Sequence, residues 1–186
     1  MVDIIGSIKS AWDLAIHPSK AKPMGISDAV KFYYSFAIIP GIVAAIITGI
    51  IGGLTAAVIM LAVIFVLEVI ELFIGAAIYQ LFGKFILRKF KNDYSVTFTA
   101  TVIATIPAIL FYWIAPLTGG LSSIIFGIWG VILLTIALMK LQKVSGVTAV
   151  LSWLLPTIIL GIIVFLILFA ALGALGVFSS AALTTI

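Results

Sequence analysis

From residue 33 onward the chain alternates long, uninterrupted apolar runs with short polar breaks. The runs cover 33–53, 56–83, 96–116, 121–141 and 148–176. Each holds at least the roughly 20 residues that a helix rising 1.5 Å per residue needs to cross a hydrocarbon core of about 30 Å, and the second is long enough to tilt or to extend into the cytoplasm. The pattern predicts an all-α, polytopic membrane bundle of five transmembrane helices. The breaks after the first and third runs, Gly52-Gly53-Leu54-Thr55 and Pro116 to Gly120, are uncharged and short, which predicts tight hairpins. Ahead of the bundle, Ile4, Ile5, Ile8, Trp12, Ala15 and Ile16 recur at helical spacing opposite Ser7, Lys9, Ser10 and Asp13. This predicts a short N-terminal amphipathic helix, stopped by Pro18. Residues 1–26 thus form a helix and linker, and 27–186 the bundle, with Ser27 as N-cap and Asp28 in the first turn. The short helix carries two acids and one base, so membrane contact would come from inserted Ile and Trp. The alternative is that it packs on the protein's own cytoplasmic loops.

Composition agrees with a membrane protein. Of 186 residues 65% are hydrophobic and 9% charged, with mean hydropathy +1.43; soluble domains sit near 45–50% apolar. The net charge of +4 could point to nucleic acid. The ten Lys and Arg, however, lie in short stretches beside the apolar runs, which is how orientation signals are distributed, so nucleic acid is not an expected partner. With no cysteine and a single histidine, His17, there is neither a thiolate nor a histidine set for a metal, and no cofactor is expected. Residues 1–31 hold charged residues throughout and no apolar core of a cleavable signal.

Inside the runs, three patterns bear on function. Ala37, Gly41, Ala45, Gly49 and Gly53 stand four apart and form a small-residue stripe that lets another backbone approach, within the chain or across a homo-oligomer. Glu68 and Glu71 share one face with Gly75 and Tyr79. A carboxylate inside a span is disfavoured by about 2.5–3.5 kcal/mol on insertion scales and needs a partner. Thr97, Thr101 and Thr105 stripe the third run, and Pro107 frees a backbone carbonyl. At 1.5 Å per residue, Thr105 lies about 15 Å deep and Glu71 about 20 Å, so Thr101, Thr105 and that carbonyl are candidate partners of the glutamates. The competing reading has the threonines bonding their own backbone. Lys84, Arg88, Lys89 and Lys91 follow the second run as a candidate contact for anionic lipid or a partner protein, or as topology signals alone.

Every Lys and Arg lies in the N-terminal segment, at the end of the fourth run, or in the breaks after the second and fourth runs. The positive-inside rule therefore predicts a cytoplasmic N-terminus and a C-terminus outside or in a lumen. The Pro of Ile106-Pro107, the pair Ile128-Trp129, Leu138-Met139-Lys140, the stretch from Val144-Ser145-Gly146 to Val147-Thr148-Ala149, and Pro156 together resemble the Yip-domain family of five-span membrane proteins, over residues 28–168. That resemblance implies a non-enzymatic protein of membrane organisation or trafficking, which in eukaryotes interacts with Rab GTPases. The Asp-Leu-Tyr-Gly-Pro motif of the eukaryotic members' longer N-terminus has no counterpart here, and the minimal length fits a prokaryotic member. Residence would be the cell membrane in a prokaryote and an ER or Golgi type of membrane in a eukaryote.

Two functions compete. One is an adaptor or scaffold whose partners are the bilayer, its anionic lipids, further copies of the chain, or an unidentified membrane or cytoplasmic protein. The other is a channel or transporter of protons, cations or small solutes through Glu68 and Glu71. The expectation is no enzyme: Glu68-x-x-Glu71 lacks the histidines of zinc motifs, and every lysine lies in a loop or at a span end, so none is buried to activate a serine.

Overall fold

The computed structural model describes residues 4–174; Asp3, the end of the fifth run and the apolar tail 178–186 lie outside them. Every regular element among the described residues is helical. The helices are α1 (Ile4–Ile16), α2 (Ile26–Ala62), α3 (Glu68–Leu81), α4 (Tyr94–Leu110), α5 (Leu121–Gln142) and α6 (Gly146–Ala174). Two π-turns, Val63–Leu67 and Phe82–Ile86, follow α2 and α3 without a break. By length and composition three stretches can cross a membrane: Ile26–Ile86, Leu121–Gln142 and Gly146–Ala171. Tyr94–Leu110 is apolar but shorter.

The 61-residue stretch Ile26–Ile86 is not straight. At 1.5 Å per residue Gly41 and Phe65 would stand about 36 Å apart in a continuous helix. Instead a Cβ on Gly41 would lie 3.0 Å from the Phe65 ring, and one on Gly49 would lie 3.0 Å from Ala57. The chain folds back between them at Gly53, whose φ of 82° and ψ of 176° belong to a region open essentially to glycine alone. Ala37, Gly41 and Ala45 are buried between the arms and their neighbours, and Gly53 is the exposed hinge.

At the centre lies α4, buried on most of its surface from Val96 to Ile109 and packed most extensively on α5. A helix apolar all round belongs inside a bundle, and its 17 residues reach only about 25 Å. Gly130 makes the α4–α5 approach possible, since a Cβ there would fall 2.6 Å from the Ala104 carbonyl oxygen. The third run, read as helical to 116, leaves the α-helix at Phe111 and continues as a 3-10 turn, Tyr112–Leu117. Pro116 has no N–H to give a helix, and its ring would crowd the carbonyl one turn back. The outer faces are apolar and exposed, from Ile42, Ile46 and Ile50 on α2 to Ile124, Ile128 and Ile132 on α5 and Ile162 to Phe169 on α6. A solvated protein rarely shows so much apolar surface, whereas lipid covers it without penalty.

Two local readings need correction. The first helix of the bundle starts at Ile26, with Gly25 at the N-cap position and Ser27 already inside the first turn. Met24 is clamped to Thr99 Oγ1 through both its N–H (3.1 Å) and its carbonyl (3.2 Å), so α4 and not a serine cap sets where the helix begins. The amphipathic helix α1 packs on helices of the bundle rather than on loops, with Ile5 and Ile16 left exposed. It packs on α2 and α4, buries Ala11 and Ala15, and sets Trp12 edge-on to Phe111 and Trp129 at centroid distances of 6.0 and 6.1 Å. The indole of Trp129 donates to the Ala15 carbonyl at 3.3 Å.

Candidate functional site

Glu68 stands at the end of the first π-turn. That turn replaces an i→i+4 bond by the wider one from Glu68 N–H to the Val63 carbonyl, and so leaves an acceptor of the helix without its own donor. Tyr33 and Tyr34 of the facing arm fill the gap, donating to the carbonyls of Ile64 (2.7 Å) and Phe65 (2.9 Å). Half-buried Glu68 lines a cavity of about 220 Å³ together with Phe111, Tyr112, Ser122, Ser123 and Phe126. Its carboxylate has no hydrogen-bond partner among the described residues. Glu71, one turn on, is exposed and stays out of that lining.

The threonine stripe is not the partner of the glutamates. Thr101 donates to its own helix at Thr97 O (3.0 Å) and Thr105 to Val102 O (2.8 Å), because a threonine in a span finds its nearest acceptor one turn back. Glu68, Glu71, Thr101 and Thr105 therefore do not converge on one site. Thr97 alone of the stripe reaches outward. It donates to Gln80 Oε1 and accepts from Gln142 Nε2 at 2.9 Å. Asn92 closes the group: its N–H donates to Gln142 Oε1 (3.1 Å), its amide to Leu141 O (2.6 Å), and its carbonyl accepts from Gln80 Nε2 (2.9 Å). Sequence reading missed this network, although Gln80 and Gln142, uncharged amides at the ends of apolar runs, were its visible signal.

The structure gathers more positive charge than the run at 84–91. A groove of about 970 Å³ is lined by Lys20 and Lys22 of the linker, by Lys140 and Lys143 at the end of α5, and by Asn92. A second groove of about 420 Å³ adjoins it through Lys143 and takes in Arg88, Lys89, Lys91, Ser145 and Thr148. Lys84 is exposed and lines neither. Two of the lysines are engaged: Lys140 donates to the Ser19 carbonyl, and Lys20 pairs with Asp13 at 2.8 Å. The hydrogen bond from Lys20 holds the Asp13 carboxyl below the ordinary aspartate range, with His17 at 3.1 Å adding to it. Lys22, Arg88, Lys89, Lys91 and Lys143 form no ion pair among the described residues.

No group of three or more His, Cys, Asp or Glu that could hold a metal occurs among the described residues. Compared with family models, with curated proteins and with solved structures, the chain finds no match.

Proposed function

We propose that this chain is a non-enzymatic membrane scaffold of the Yip type, crossing the bilayer five times and presenting its basic end as a contact face to anionic lipid or to a partner protein. The observation that carries this reading is the assembly of seven cations, Lys20, Lys22, Arg88, Lys89, Lys91, Lys140 and Lys143, from three separate segments into two adjoining grooves. Orientation signals need only lie near the membrane, whereas concave grooves built across 120 positions of sequence offer a ligand or partner something to fit. The Gln80-Thr97-Asn92-Gln142 network favours the same reading, because polar groups bonded to one another across segments lock helices together. Five crossings follow if the two arms that meet at Gly53 each span and α4 completes its crossing through the turn Tyr112–Leu117. The basic end is then cytoplasmic and the turn at Gly119-Gly120 outside.

Reporters placed before Met1, in the 88–93 segment and within 117–120 test the topology: the first two should share a side and the third should be opposite. Photo-cross-linkers at Lys84, Lys89 and Lys91 in native membranes should give a discrete protein or lipid adduct absent from probes at Leu117. Equal labelling at both ends would remove the adaptor reading.

The cavity at Glu68 favours a second reading, transport of a proton or small cation, because a carboxylate facing an open space inside a bundle is where a cation would pause. Flux into liposomes that Glu68→Gln abolishes and Glu71→Gln leaves intact would establish it. Liposomes in which the wild-type protein carries no flux would dispose of it.

A further inference from the structure

Among the described residues, two that are not glycine have a left-handed backbone, Arg88 (φ 54°) and Lys143 (φ 55°). Both are cations, and both line the same groove with Lys89, Lys91, Ser145 and Thr148. That conformation crowds a Cβ against the following carbonyl, which is why helix ends of this kind favour glycine or asparagine. At the C-terminus of α5, Lys143 occupies such a position, and its N–H returns to Met139 O. Arg88 follows the π-turn Phe82–Ile86, whose Gly83 carbonyl accepts from the N–H groups of Lys89 and Phe90. The ring of Phe90 fills the space where a Gly83 side chain would lie. Strained residues persist where the surroundings hold them, and they gather at binding sites.

Exposed apolar residues stand next in sequence to the segments that line the groove. Phe85 and Ile86, ahead of Arg88, are 69% and 54% exposed, and Val147 at the start of α6 is 70% exposed. α6, which Val147 opens, packs on the π-turn that carries the first two. Unpaired cations with hydroxyls beside them, and exposed apolar side chains close to them in sequence at the end of a helical bundle, match the two halves of one molecule. The cations and hydroxyls suit a phosphate group, and the apolar side chains suit acyl chains.

We infer that Arg88, Lys89, Lys91 and Lys143, with Ser145 and Thr148, form a site for the phosphate headgroup of an anionic phospholipid, whose acyl chains lie along Phe85, Ile86 and Val147. This rests on the reading of the chain as a membrane protein whose basic end meets the bilayer surface, and it names the ligand of that face. A soluble phosphate would need the cations alone, so the exposed apolar side chains assign the site to lipid. Arg88 and Lys143 hold two sides of the phosphate and Lys89 and Lys91 set the local potential.

The test uses the full-length protein reconstituted in phosphatidylcholine vesicles containing a minor fraction of phosphatidic acid or phosphatidylglycerol, then extracted in mild detergent and weighed with its retained lipid by native mass spectrometry. Wild type should retain the anionic lipid over phosphatidylcholine by about tenfold beyond its abundance, as two or more cations acting on one phosphate would give. The pair Arg88→Gln with Lys143→Gly should lose that preference. Lys9→Gln with Lys31→Gln, which removes the same charge elsewhere, should keep it. Lys143→Gly alone should melt no lower than wild type, because glycine relieves the left-handed strain, and it should still weaken lipid retention. Equal loss in the Lys9 and Lys31 control would overturn the site in favour of net charge. Displacement of the lipid by inorganic phosphate as readily as by added phosphatidic acid would assign the groove to a soluble anion. Should retention show no headgroup preference while the cross-linkers at the basic end still capture a protein, the lipid site fails and the adaptor reading stands.

Discussion

The Tyr33 hydroxyl donates to the Ile64 carbonyl at 2.7 Å, joining the first arm of the hairpin to the π-turn of the second. Tyr33 is fully buried, and its bond satisfies an acceptor that the widened turn takes out of the helical ladder. Tyr33→Phe keeps the ring and strands the carbonyl. We expect a loss of about 1 kcal/mol, at the upper end of what interhelical bonds contribute in membranes. Reversible unfolding in mixed micelles measures it, and a Tyr33→Phe protein as stable as wild type would show that water or a neighbour takes over the carbonyl.

Gly130 and Gly127 sit three residues apart on α5 and predict opposite outcomes. A methyl on Gly130 meets the Ala104 carbonyl oxygen at 2.6 Å, so Gly130→Ala pushes α5 off α4 and should cost about 1–3 kcal/mol. Nothing lies within 4 Å of a methyl on Gly127, and there alanine should be neutral or stabilising by up to about 1 kcal/mol through helix propensity. Melting temperatures of the two variants in one detergent decide it, and a shared sign would contradict the packing described.

Gln142 is 1% exposed and holds Asn92 and Thr97 at once. Gln142→Ala leaves buried donors and acceptors unpaired on three segments and should destabilise by about 2–3 kcal/mol. Gln80→Ala should not add to it, since both act on the same group; a double-mutant cycle should give a coupling of about 1 kcal/mol. Strict additivity would mean that the amides act separately.

Asp13 supplies the pH dependence. Its folded carboxyl is held below the ordinary range chiefly by the Lys20 hydrogen bond, so the clasp between α1 and the linker is fully formed above the free aspartate value near about 4. Its contribution is lost as pH falls through the lowered folded value. Amide hydrogen exchange across residues 13–21 should be flat from neutral pH down to that range, after correction for intrinsic rates, and rise below it. Asp13→Asn should show the higher exchange at every pH.

The long apolar runs, the acidic pair inside one of them and the gathering of bases beside their ends were legible in the sequence, because they depend only on what each stretch does in lipid. So was the break at Gly52-Gly53, although which glycine makes the reversal is settled by a backbone angle that only Gly53 adopts. The start at Ile26 was not legible, because Thr99, 75 positions away, holds Met24 and overrides the local serine signal. For the same reason Lys20 and Lys22 gave no hint of Lys140 and Lys143, and Gln80 none of Gln142.

Hydrophobicity and periodicity are summed over neighbours in the chain, and from them alone this protein is a helical membrane bundle with its charge at the ends of its helices. Which polar groups meet depends on how helices rotate about their axes and on where a single extra residue enters a turn. On α3, Glu68 lines a cavity and Glu71, one turn on, lies outside it, because the helices that pack beside them close over one carboxylate and not the other.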